Sequence, residues 1–495
     1  MAAHDRLPAA EETLPVETSP SSSPRTSTSC LALVVLWSAH EPWHAGEVAF
    51  LPAARPSWTL GRRDRSPDAS APPLAFLRIR GGTAAAAEPL ADPHLSRRHL
   101  QLTAHGAETL QVENLGRVPL VVNGVPSEKA VVRTGDVLEI DRRLLLLVVH
   151  RTWPLAEPQE EIPLRPFPFG GADEDGFVGE SEAVWALRRR VRRAARAPGH
   201  VLLLGASGTG KELAARAVHA HSRRGERPLV ARNAATFPES LVDAELFGNA
   251  KNFPNVGMLD RPGLVGAADG STLFLDEIGE LPLHVQPHLL RVMDRGEYQR
   301  LGDATARHAD IRVVGATNRP RATLRSDLSA RFLHEVALPD LNDRREDLPL
   351  LVRHVLLRLA RESGEARARE LLVDGPDGPE PRLSPKFVRQ LLSVTWETNV
   401  RELEAFVWRA LDASEPGEPL AAVPERGSVK GGEEGADDAA SGPSPDADRI
   451  QICLDRHNGV LEEAWRELGL SSRYALRRLI AKHGVVVRRQ PARRT

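Results

Sequence analysis

The sequence predicts a multidomain protein: an N-terminal all-β sandwich, a central α/β domain with a helical lid, and a C-terminal all-α domain. Residues 30–150 contain short Val- and Leu-rich runs separated by Gly, Pro and Asn turns, which is typical of a sandwich. Helices alternate with buried strands over residues 177–346, and a mostly helical segment over 347–413 is the predicted lid. Short helices over 447–487 form the third part.

Composition excludes several classes of protein. The 495 residues carry a formal net charge of −2, so any affinity for nucleic acid is confined to a local patch. Cys30 and Cys453 are the only cysteines, too few for a disulfide framework or a Cys-ligated zinc site, which indicates a reducing, cytoplasmic location. The longest apolar runs, such as residues 144–149, have the length of a strand, so we expect no membrane partner.

The remaining segments are predicted to be connections. Residues 1–29 are rich in Pro, Ser, Thr and Glu and are predicted to be disordered. Residues 151–176 predict a Pro-rich, semi-rigid linker, and residues 414–446 predict a flexible one. Residues 488–495 form a basic tail.

The stretch "HVLLLGASGTGKELAARAVHAHS" predicts an apolar strand, a Gly-rich turn and a helix. Gly205 and Gly210 let the backbone amides of the turn surround phosphate oxygens, and Lys211 places a positive charge beside the outer phosphates. Glu212 stands where a magnesium-binding Ser or Thr usually follows the lysine. The other predicted nucleotide-binding residues of the turn are Ser207, Gly208 and Thr209. The alternative is a Gly-rich turn that binds no nucleotide.

Two further strands end in polar residues. "STLFLDEIGEL" ends in Asp276, a candidate ligand for Mg²⁺, and Glu277, a candidate to polarise the attacking water. "IRVVGATNRP" delivers Thr317 and Asn318, which are suited to sense the γ-phosphate of ATP. The alternatives are a pair of solvated acids and an ordinary strand-to-turn boundary. Together with the Gly-rich turn, these strands predict ATP and Mg²⁺ as cofactors.

Five ordered motifs then carry a family resemblance: "GASGTGKE", "NAATFPESLVDAELFG", "ADGSTLFLDEIGELP", "ATNRP" and "LRSDLSARF". Over about residues 177–412 they resemble the AAA+ domain of bacterial enhancer-binding proteins, the sigma-54-dependent activators. That family also carries Glu after the lysine of the turn, which accounts for Glu212. The resemblance implies a homo-oligomeric ring that holds ATP between subunits and remodels the sigma-54 RNA polymerase holoenzyme.

The same resemblance assigns roles to four more residues. It implies that Arg325 and Arg331 reach the γ-phosphate of a neighbouring subunit as arginine fingers, which can be worth ~10³-fold or more in rate. It implies that Asn233 restrains Glu277 until the site is primed, and that Arg401 is the sensor arginine of the lid. The alternative for the arginines is plain surface charge.

One loop departs from the family. Where the family places Gly-Ala-Phe-Thr-Gly-Ala to push on sigma-54, an ungapped match puts "NFPNVG", residues 252–257. Pro254 and Asn255 form a turn pair, so a protruding hairpin with Phe253 near its tip is one alternative. The other is a compact turn with Phe253 folded against its own domain. The sequence leaves the contact with sigma-54 open.

The predicted sandwich resembles forkhead-associated (FHA) domains, which bind phosphothreonine peptides, through the ordered motifs "GR", "SRRH" and "NG". The resemblance covers about residues 31–150. It implies that Arg62 and Ser96 bind the phosphate while His99 and Asn123 brace the loops. The peptide-gripping loop of the family is shortened here. The alternative is a sandwich that serves only as an interaction platform.

The stretch "IQICLDRHNGVLEEAWRELGLSSRYALRRLIAKHGV" predicts three helices, and its central "GLS" suits a helix-turn-helix. No acidic residue follows Arg473, so the last helix is a basic patch suited to phosphate contacts. The segment resembles the Fis-type domain that ends most enhancer-binding proteins, which implies binding to DNA at an upstream activating sequence. A basic, solvated helix is the alternative. The predicted DNA-binding residues are Ser472, Arg473, Tyr474, Arg477, Arg478 and Lys482.

These parts predict a regulator that combines a phosphopeptide sensor, an ATPase ring and a DNA-binding domain. The phosphothreonine is expected on another protein or on the chain's own tail, where the candidates are Thr13, Thr18, Thr26 and Thr28. Two alternatives belong to other classes. One is a DNA-binding ATPase regulator that never contacts sigma-54, and the other is a phosphoprotein-binding scaffold whose ring is a nucleotide-gated assembly device.

Overall fold

The chain divides into two compact units, Met1–Pro424 and Glu425–Thr495. The computed structural model describes residues 28–52, 54–55, 57–62, 71–153, 165–253, 255–362, 365–423, 447–457 and 467–468. Residues 1–27 of the predicted disordered tail (1–29), residues 424–446 of the predicted flexible linker (414–446) and the whole predicted basic tail (488–495) fall outside these ranges.

Antiparallel strands form the N-terminal region. Within the described residues they are β1 Thr28–Ser38, β2 Val48–Leu51, β3 Ser57–Leu60, β4 Leu77–Arg80, β5 Thr83–Ala86, β6 Leu100–His105, β7 Thr109–Asn114, β8 Leu120–Val122, β9 Val125–Pro126, β10 Lys129–Val132, β11 Val137–Ile140 and β12 Leu144–Trp153. One sheet has the order β5-β4-β2-β1-β12-β11-β8-β9, and the other has the order β10-β7-β6-β3. The predicted β-rich N-terminal region is confirmed.

Strand β1 is apolar on both faces. Leu31, Leu33 and Val35 point into the core between the two sheets. The alternate residues Ala32 and Val34 belong to a second core, which the larger sheet shares with the lid. A strand of a simple sandwich turns polar side chains outward, so this strand is covered on both sides.

The central region is the predicted α/β domain. Its elements are α1 Glu182–Arg196, β13 His200–Leu204, α2 Lys211–Ala220, β14 Val230–Asn233, α3 Val242–Phe247, α4 Gly263–Ala267, β15 Thr272–Asp276, α5 Gln286–Arg295, β16 Glu297–Tyr298, β17 Arg307–His308, β18 Arg312–Thr317, α6 Ser326–Ser329 and β19 Phe332–Ala337. Five of the strands form a parallel sheet in the order β14-β15-β18-β13-β19. The carboxyl ends of β13, β15 and β18 lie side by side, where α/β folds place their ligands.

The lid follows a 3-10 helix, Leu341–Asp347. Its elements are α7 Leu348–Glu362, α8 Ala366–Glu370, β20 Leu372–Gly375, β21 Gly378–Pro381, α9 Pro385–Ser393 and α10 Asn399–Ala413. The hairpin β20–β21 interrupts a segment for which the sequence indicated mostly helices. Helix α9 begins where the hydroxyl of Ser384 accepts a hydrogen bond from the Phe387 N–H, an N-cap that Pro385 follows.

The second unit is described over a single helix, α11 Ala447–Arg456, and three later residues. Across the described parts of both units, every helix is too short or too polar to traverse a bilayer.

Candidate functional site

The Gly-rich turn joins β13 to α2 at the carboxyl edge of the parallel sheet. Lys211 is the first residue of α2 and is only 7% exposed. Its amine donates hydrogen bonds to the carbonyl oxygens of Gly205 (3.0 Å) and Ala206 (3.2 Å). The hydroxyl of Thr209 also donates to the Ala206 carbonyl, at 2.9 Å. The turn therefore has the P-loop geometry that the sequence predicts, with a buried cation at its centre.

Glu277 lies beside this lysine. Asp276 is the last residue of β15, and Glu277 follows it in the left-handed region of backbone space, at φ 49° and ψ 45°. Such a conformation costs on the order of 1–3 kcal/mol in a non-glycine residue. The Glu277 carboxylate lies 3.8 Å from the Lys211 amine and accepts a hydrogen bond from the backbone N–H of Asn318 at 3.3 Å. The structure thus brings together four residues that the sequence predicts at one site.

Asn233 contacts a different acid from the expected one. It ends β14 directly opposite Asp276 in the parallel ladder. Its side-chain oxygen accepts from the Ala235 N–H at 2.9 Å, and its side-chain nitrogen lies 3.5 Å from an Asp276 oxygen. Among the described contacts, none joins it to Glu277. The β14–β15 register pairs Asn233 with the preceding acid, and the restraint of Glu277 by Asn233 stays a prediction.

The lid reaches the P-loop at the start of α10. The side chain of Asn399 donates to the Ser207 carbonyl at 3.0 Å, and the Val400 N–H donates to the Gly208 carbonyl at 3.2 Å. Arg401 donates to the Ser207 hydroxyl at 3.3 Å. A Cβ on Gly208 would lie 2.1 Å from a lid carbonyl oxygen, so this close approach requires glycine.

Asn399 is a residue that the sequence analysis missed. It is 1% exposed, has a φ of 52°, and accepts a hydrogen bond from the Leu341 N–H at 2.7 Å. One side chain therefore joins the P-loop, the lid and the segment that connects them. Its position in the same "NVREL" motif as Arg401 was the available signal.

Three other predicted residues make contacts away from the P-loop. Arg325 pairs with Asp327 (2.8 Å) and holds the pKa of that carboxyl well below its usual range. Arg331 pairs with Asp294 at 3.0 Å. Within the described part of their own chain, neither arginine contacts a P-loop residue. Glu212 pairs with an arginine one turn along α2, on the exposed side of the helix.

Asp276 is the residue best suited to hold Mg²⁺. It is the last residue of β15, directly before Glu277; one of its carboxylate oxygens accepts the Glu277 N–H at 3.0 Å, and the other lies 3.5 Å from the Asn233 side-chain nitrogen. Carboxylate and phosphate oxygens are the ligands that Mg²⁺ prefers. The exposed Glu212 carboxylate offers no substitute for the missing hydroxyl.

Comparison with known proteins decides what this region is. Residues 177–335 match the family model described as a sigma-54 interaction domain, and residues 342–422 match an AAA+ ATPase lid domain. The central region is therefore similar to a sigma-54 interaction domain followed by an AAA+ lid. It is homologous to that of sigma-54 activators. This confirms the prediction that the central region is an α/β P-loop ATPase domain with a helical lid.

Individual relatives match over the same region. DNA-binding transcriptional activator HyfR of Escherichia coli (strain K12) is 40% identical over 242 residues, which cover 48% of this chain and 34% of HyfR. DNA-binding transcriptional regulator NtrC of Klebsiella pneumoniae is 39% identical over 254 residues, covering 50% of this chain and 51% of NtrC. The chain thus spans about a third to a half of these relatives. The crystal structure of NtrX from Brucella abortus in complex with ADP has a TM-score of 0.44 and 27% identity, covering 63% of this chain and 70% of that chain.

The described residues of the loop at 252–257, which are 252–253 and 255–257, lie close to their own domain. The buried side chain of Asn249 donates to the carbonyls of Phe253 (3.4 Å) and Leu259 (2.9 Å). The Phe253 ring lies against Gly302, where a Cβ would meet it at 2.3 Å. Of the two alternatives, the structure has Phe253 folded on its own domain. The most exposed apolar side chain of the loop is that of Val256, at 95%.

The sandwich brings three of its four predicted residues together. The Arg62 N–H donates to the Ser96 carbonyl at 3.0 Å, and the Ser96 N–H donates to the ring of His99 at 3.0 Å. His99 is buried and its other ring nitrogen lies 3.0 Å from the Val118 carbonyl. Burial lowers the pKa of His99, so the ring braces the loops as a neutral group.

Asn123 lies apart from this group. It occupies the β8–β9 turn at φ 50°, and its side chain bonds Asp136 (2.7 Å) and the Val137 N–H (2.9 Å). It lines a cavity of about 300 Å³ that Arg345 and Arg389 close from the side of the lid. The predicted DNA-binding residues 472, 473, 474, 477, 478 and 482 fall outside the described residues.

Proposed function

We propose that this protein is an ATP-hydrolysing, DNA-binding transcriptional regulator that works as a homo-oligomeric ring. The observation that carries the proposal is Glu277, a non-glycine residue in the left-handed region whose carboxylate lies 3.8 Å from the P-loop lysine amine. Strained backbone of this kind persists where the surrounding structure holds it and is concentrated at functional sites. The family of the central domain agrees with this activity.

In the proposed reaction the chain's own residues position ATP and water. Lys211 neutralises the outer phosphates while the P-loop amides bind the remaining oxygens. Glu277 orients the attacking water and accepts its proton. Asn318 contacts the γ-phosphate, and Arg401 brings positive charge from the lid. Mg²⁺ held at Asp276 supplies further charge neutralisation when bound.

The ring supplies the remaining charges. The side chains of Arg325 and Arg331 are 44% and 51% exposed, each beside an acid of its own chain. Exposed ion pairs contribute only ~0–1 kcal/mol, so a γ-phosphate on the neighbouring subunit competes with those acids for the arginines. This is the arrangement that arginine fingers in trans require.

Regulation and DNA binding complete the proposal. Arg62 and Ser96, adjacent on two loops of the sandwich, recognise a phosphothreonine dianion on a partner protein or on the chain's own tail. The basic segment after Arg473 tethers the ring to DNA upstream of a promoter. HyfR and NtrC are both named as DNA-binding regulators, and the output is remodelling of the sigma-54 RNA polymerase holoenzyme.

A second candidate function is favoured by the loop at residues 252–257. Its sequence differs at every position from the family's Gly-Ala-Phe-Thr-Gly-Ala, and its aromatic side chain is folded against Gly302. In this alternative the protein hydrolyses ATP and binds DNA but does not contact sigma-54.

Steady-state ATP hydrolysis by the full chain tests the catalytic assignment. Glu277→Gln should lower turnover by at least about 10²-fold while leaving ATP binding intact, because it removes only the base. Lys211→Ala should abolish ATP binding as well as ATP turnover. Glu280→Gln is the matched control, since that acid pairs with Arg319 at 2.6 Å. Equal turnover in Glu277→Gln and Glu280→Gln would remove the assignment.

Open-complex formation separates the two candidate functions. The full chain, sigma-54 holoenzyme and a supercoiled promoter carrying the upstream site should give ATP-dependent open complexes. Normal ATP hydrolysis without open complexes would favour the second candidate. A wild-type chain that binds phosphopeptide but hydrolyses no ATP would instead favour the scaffold.

A further inference from the structure

The outer face of the eight-stranded sheet is built as a contact surface. In β12 the residues Leu144, Leu146 and Val148 enter the core of the sandwich. The alternate residues Leu145 and Leu147 belong to the second core, and β1 has the same alternation. An antiparallel sandwich normally turns polar side chains to this side. An apolar face of this extent would be unfavourable in water, so it requires a permanent cover.

The lid is that cover. Phe387, Val388 and Leu391 of helix α9 lie in the same apolar core as the outer residues of β1. The indole N–H of Trp37, at the end of β1, donates to the Leu383 carbonyl at 2.9 Å. Trp37 is 6% exposed, so this hydrogen bond is made away from water and fixes the position of the sheet along the lid.

Charged pairs fix the orientation of the contact. Arg389 of α9 donates to the carboxylate of Glu139 at 2.6 Å, and Glu139 is only 2% exposed. Arg78 of β4 bonds Asp377, in the lid hairpin, at 2.6 Å. Charge-assisted bonds of this kind are strong and directional, and removing Arg389 leaves the buried Glu139 carboxylate without its charged partner. The sheet therefore cannot shift along the lid without breaking these pairs.

The same helix leads to the P-loop. Only a short turn separates the end of α9 from Asn399, whose side chain bonds the Ser207 carbonyl at 3.0 Å. The sandwich, α9 and the P-loop are thus joined by consecutive contacts. We propose that the outer sheet face is a dedicated docking surface for the lid of the same chain, and that the docked sandwich holds the lid against the nucleotide. The sandwich is then a structural part of the ATP site. The nucleotide half of this proposal rests on the proposed ATP binding.

Charge reversal in the full chain tests the proposal. Arg389→Glu sets a second acid beside Glu139, so we expect faster hydrogen exchange in β11, β12 and α9. We also expect affinity for a fluorescent ATP analogue to fall about fivefold or more, the lower range of coupling between linked sites. Lys129→Glu is the matched control, because it reverses an exposed 3.0 Å pair with Glu113 on the smaller sheet. Adding Glu139→Arg to Arg389→Glu should recover part of the affinity.

Each outcome separates the two halves of the proposal. Exchange that matches the Lys129→Glu control would overturn the docking, and faster exchange with unchanged affinity would overturn the coupling to nucleotide. If Arg389→Glu does not fold, Arg389→Ala removes the partner without adding an acid and is judged by the same two readouts. A wild-type chain that binds no nucleotide contradicts the proposed function, while hydrogen exchange still decides the docking.

Discussion

At the scale of single residues, His44 shows how a buried charge depends on its partners. It is 1% exposed, and its ring lies 2.5 Å from a Glu47 oxygen and 3.6 Å from a Glu41 oxygen. Burial alone would lower the pKa of His44, but the hydrogen bonds and charges of the two carboxylates raise it to about 9. Arg78 shares Glu47 at 2.9 Å, which keeps that carboxylate compensated on its other side.

This arrangement predicts a pH dependence of stability. The pKa of His44 is higher in the folded than in the unfolded protein. Protonated His44 therefore contributes its full stabilisation of the fold below pH ~6.5, and this contribution is lost as the pH rises through about 9. We expect His44→Gln to lower the free energy of unfolding by ~2 kcal/mol at pH 6.5 and by much less above pH 9. Urea midpoints at both pH values measure this. His105→Gln, at an exposed position of the same sandwich, is the control. If His44→Gln lowers the free energy of unfolding equally at the two pH values, His44 is not stabilised as a charged group.

At the scale of elements, the loop between α3 and α4 is held from inside. Asn249, 1% exposed, is the centre of its hydrogen bonds, and Asn252 adds two more, donating its N–H to the Met258 carbonyl and accepting from the Gly257 N–H. The bonds from Asn249 to Leu259 and from Asn252 to Met258 join the two arms of the loop. The positive φ of Asn252, 65°, shows where the chain turns back.

Phe253→Ala tests the folded-back position of the aromatic ring. The ring is 40% exposed and lies against Gly302, so truncation should lower the free energy of unfolding by ~1.5–2.5 kcal/mol, half the value for a fully buried Phe. ATP hydrolysis should change less than twofold, because the ring is remote from the P-loop contacts. Val256→Ala, 95% exposed, should leave stability unchanged. Phe253→Ala with full stability but no open complexes would place the ring in a partner contact instead.

Residues in local motifs could be predicted from the sequence, whereas contacts between separate elements could not. Lys211, Asp276 and Glu277 were predicted because each lies in a short local motif at a strand end. The contact of Asn233 with Asp276 depends on strand register, which neither segment encodes alone. Asn399 contacts the P-loop only because the lid packs on the α/β domain, which no local motif reveals. The second core was signalled by apolar runs without alternation, which the sequence analysis assigned to a simple sandwich.

At the scale of the whole molecule, the proposed ATP site is incomplete within one chain. Lys211, Glu277 and Arg401 converge on the P-loop, while Arg325 and Arg331, which flank α6, bond an acid of α6 and an acid of α5. In the proposed ring, the site gains its full positive charge only when a second subunit adds its Arg325 and Arg331. Head-to-tail interfaces that repeat in this manner form a ring when the rotation between subunits closes, as the proposed function requires.

Mixing two inactive variants tests this division. Lys211→Ala removes the lysine of its own site, and Arg331→Ala removes the finger that it offers to a neighbour, so each alone should lose ~10³-fold in ATP turnover. In a randomly mixed ring, about a quarter of the interfaces combine an intact P-loop with an intact finger, so turnover should return to roughly that fraction of wild type. The control mixture combines Lys211→Ala with Arg216→Ala instead of Arg331→Ala. Arg216→Ala removes only an exposed pair with Glu212 on α2. If the mixture of Lys211→Ala and Arg331→Ala stays as inactive as its components while native mass spectrometry shows mixed rings, Arg331 does not act in trans.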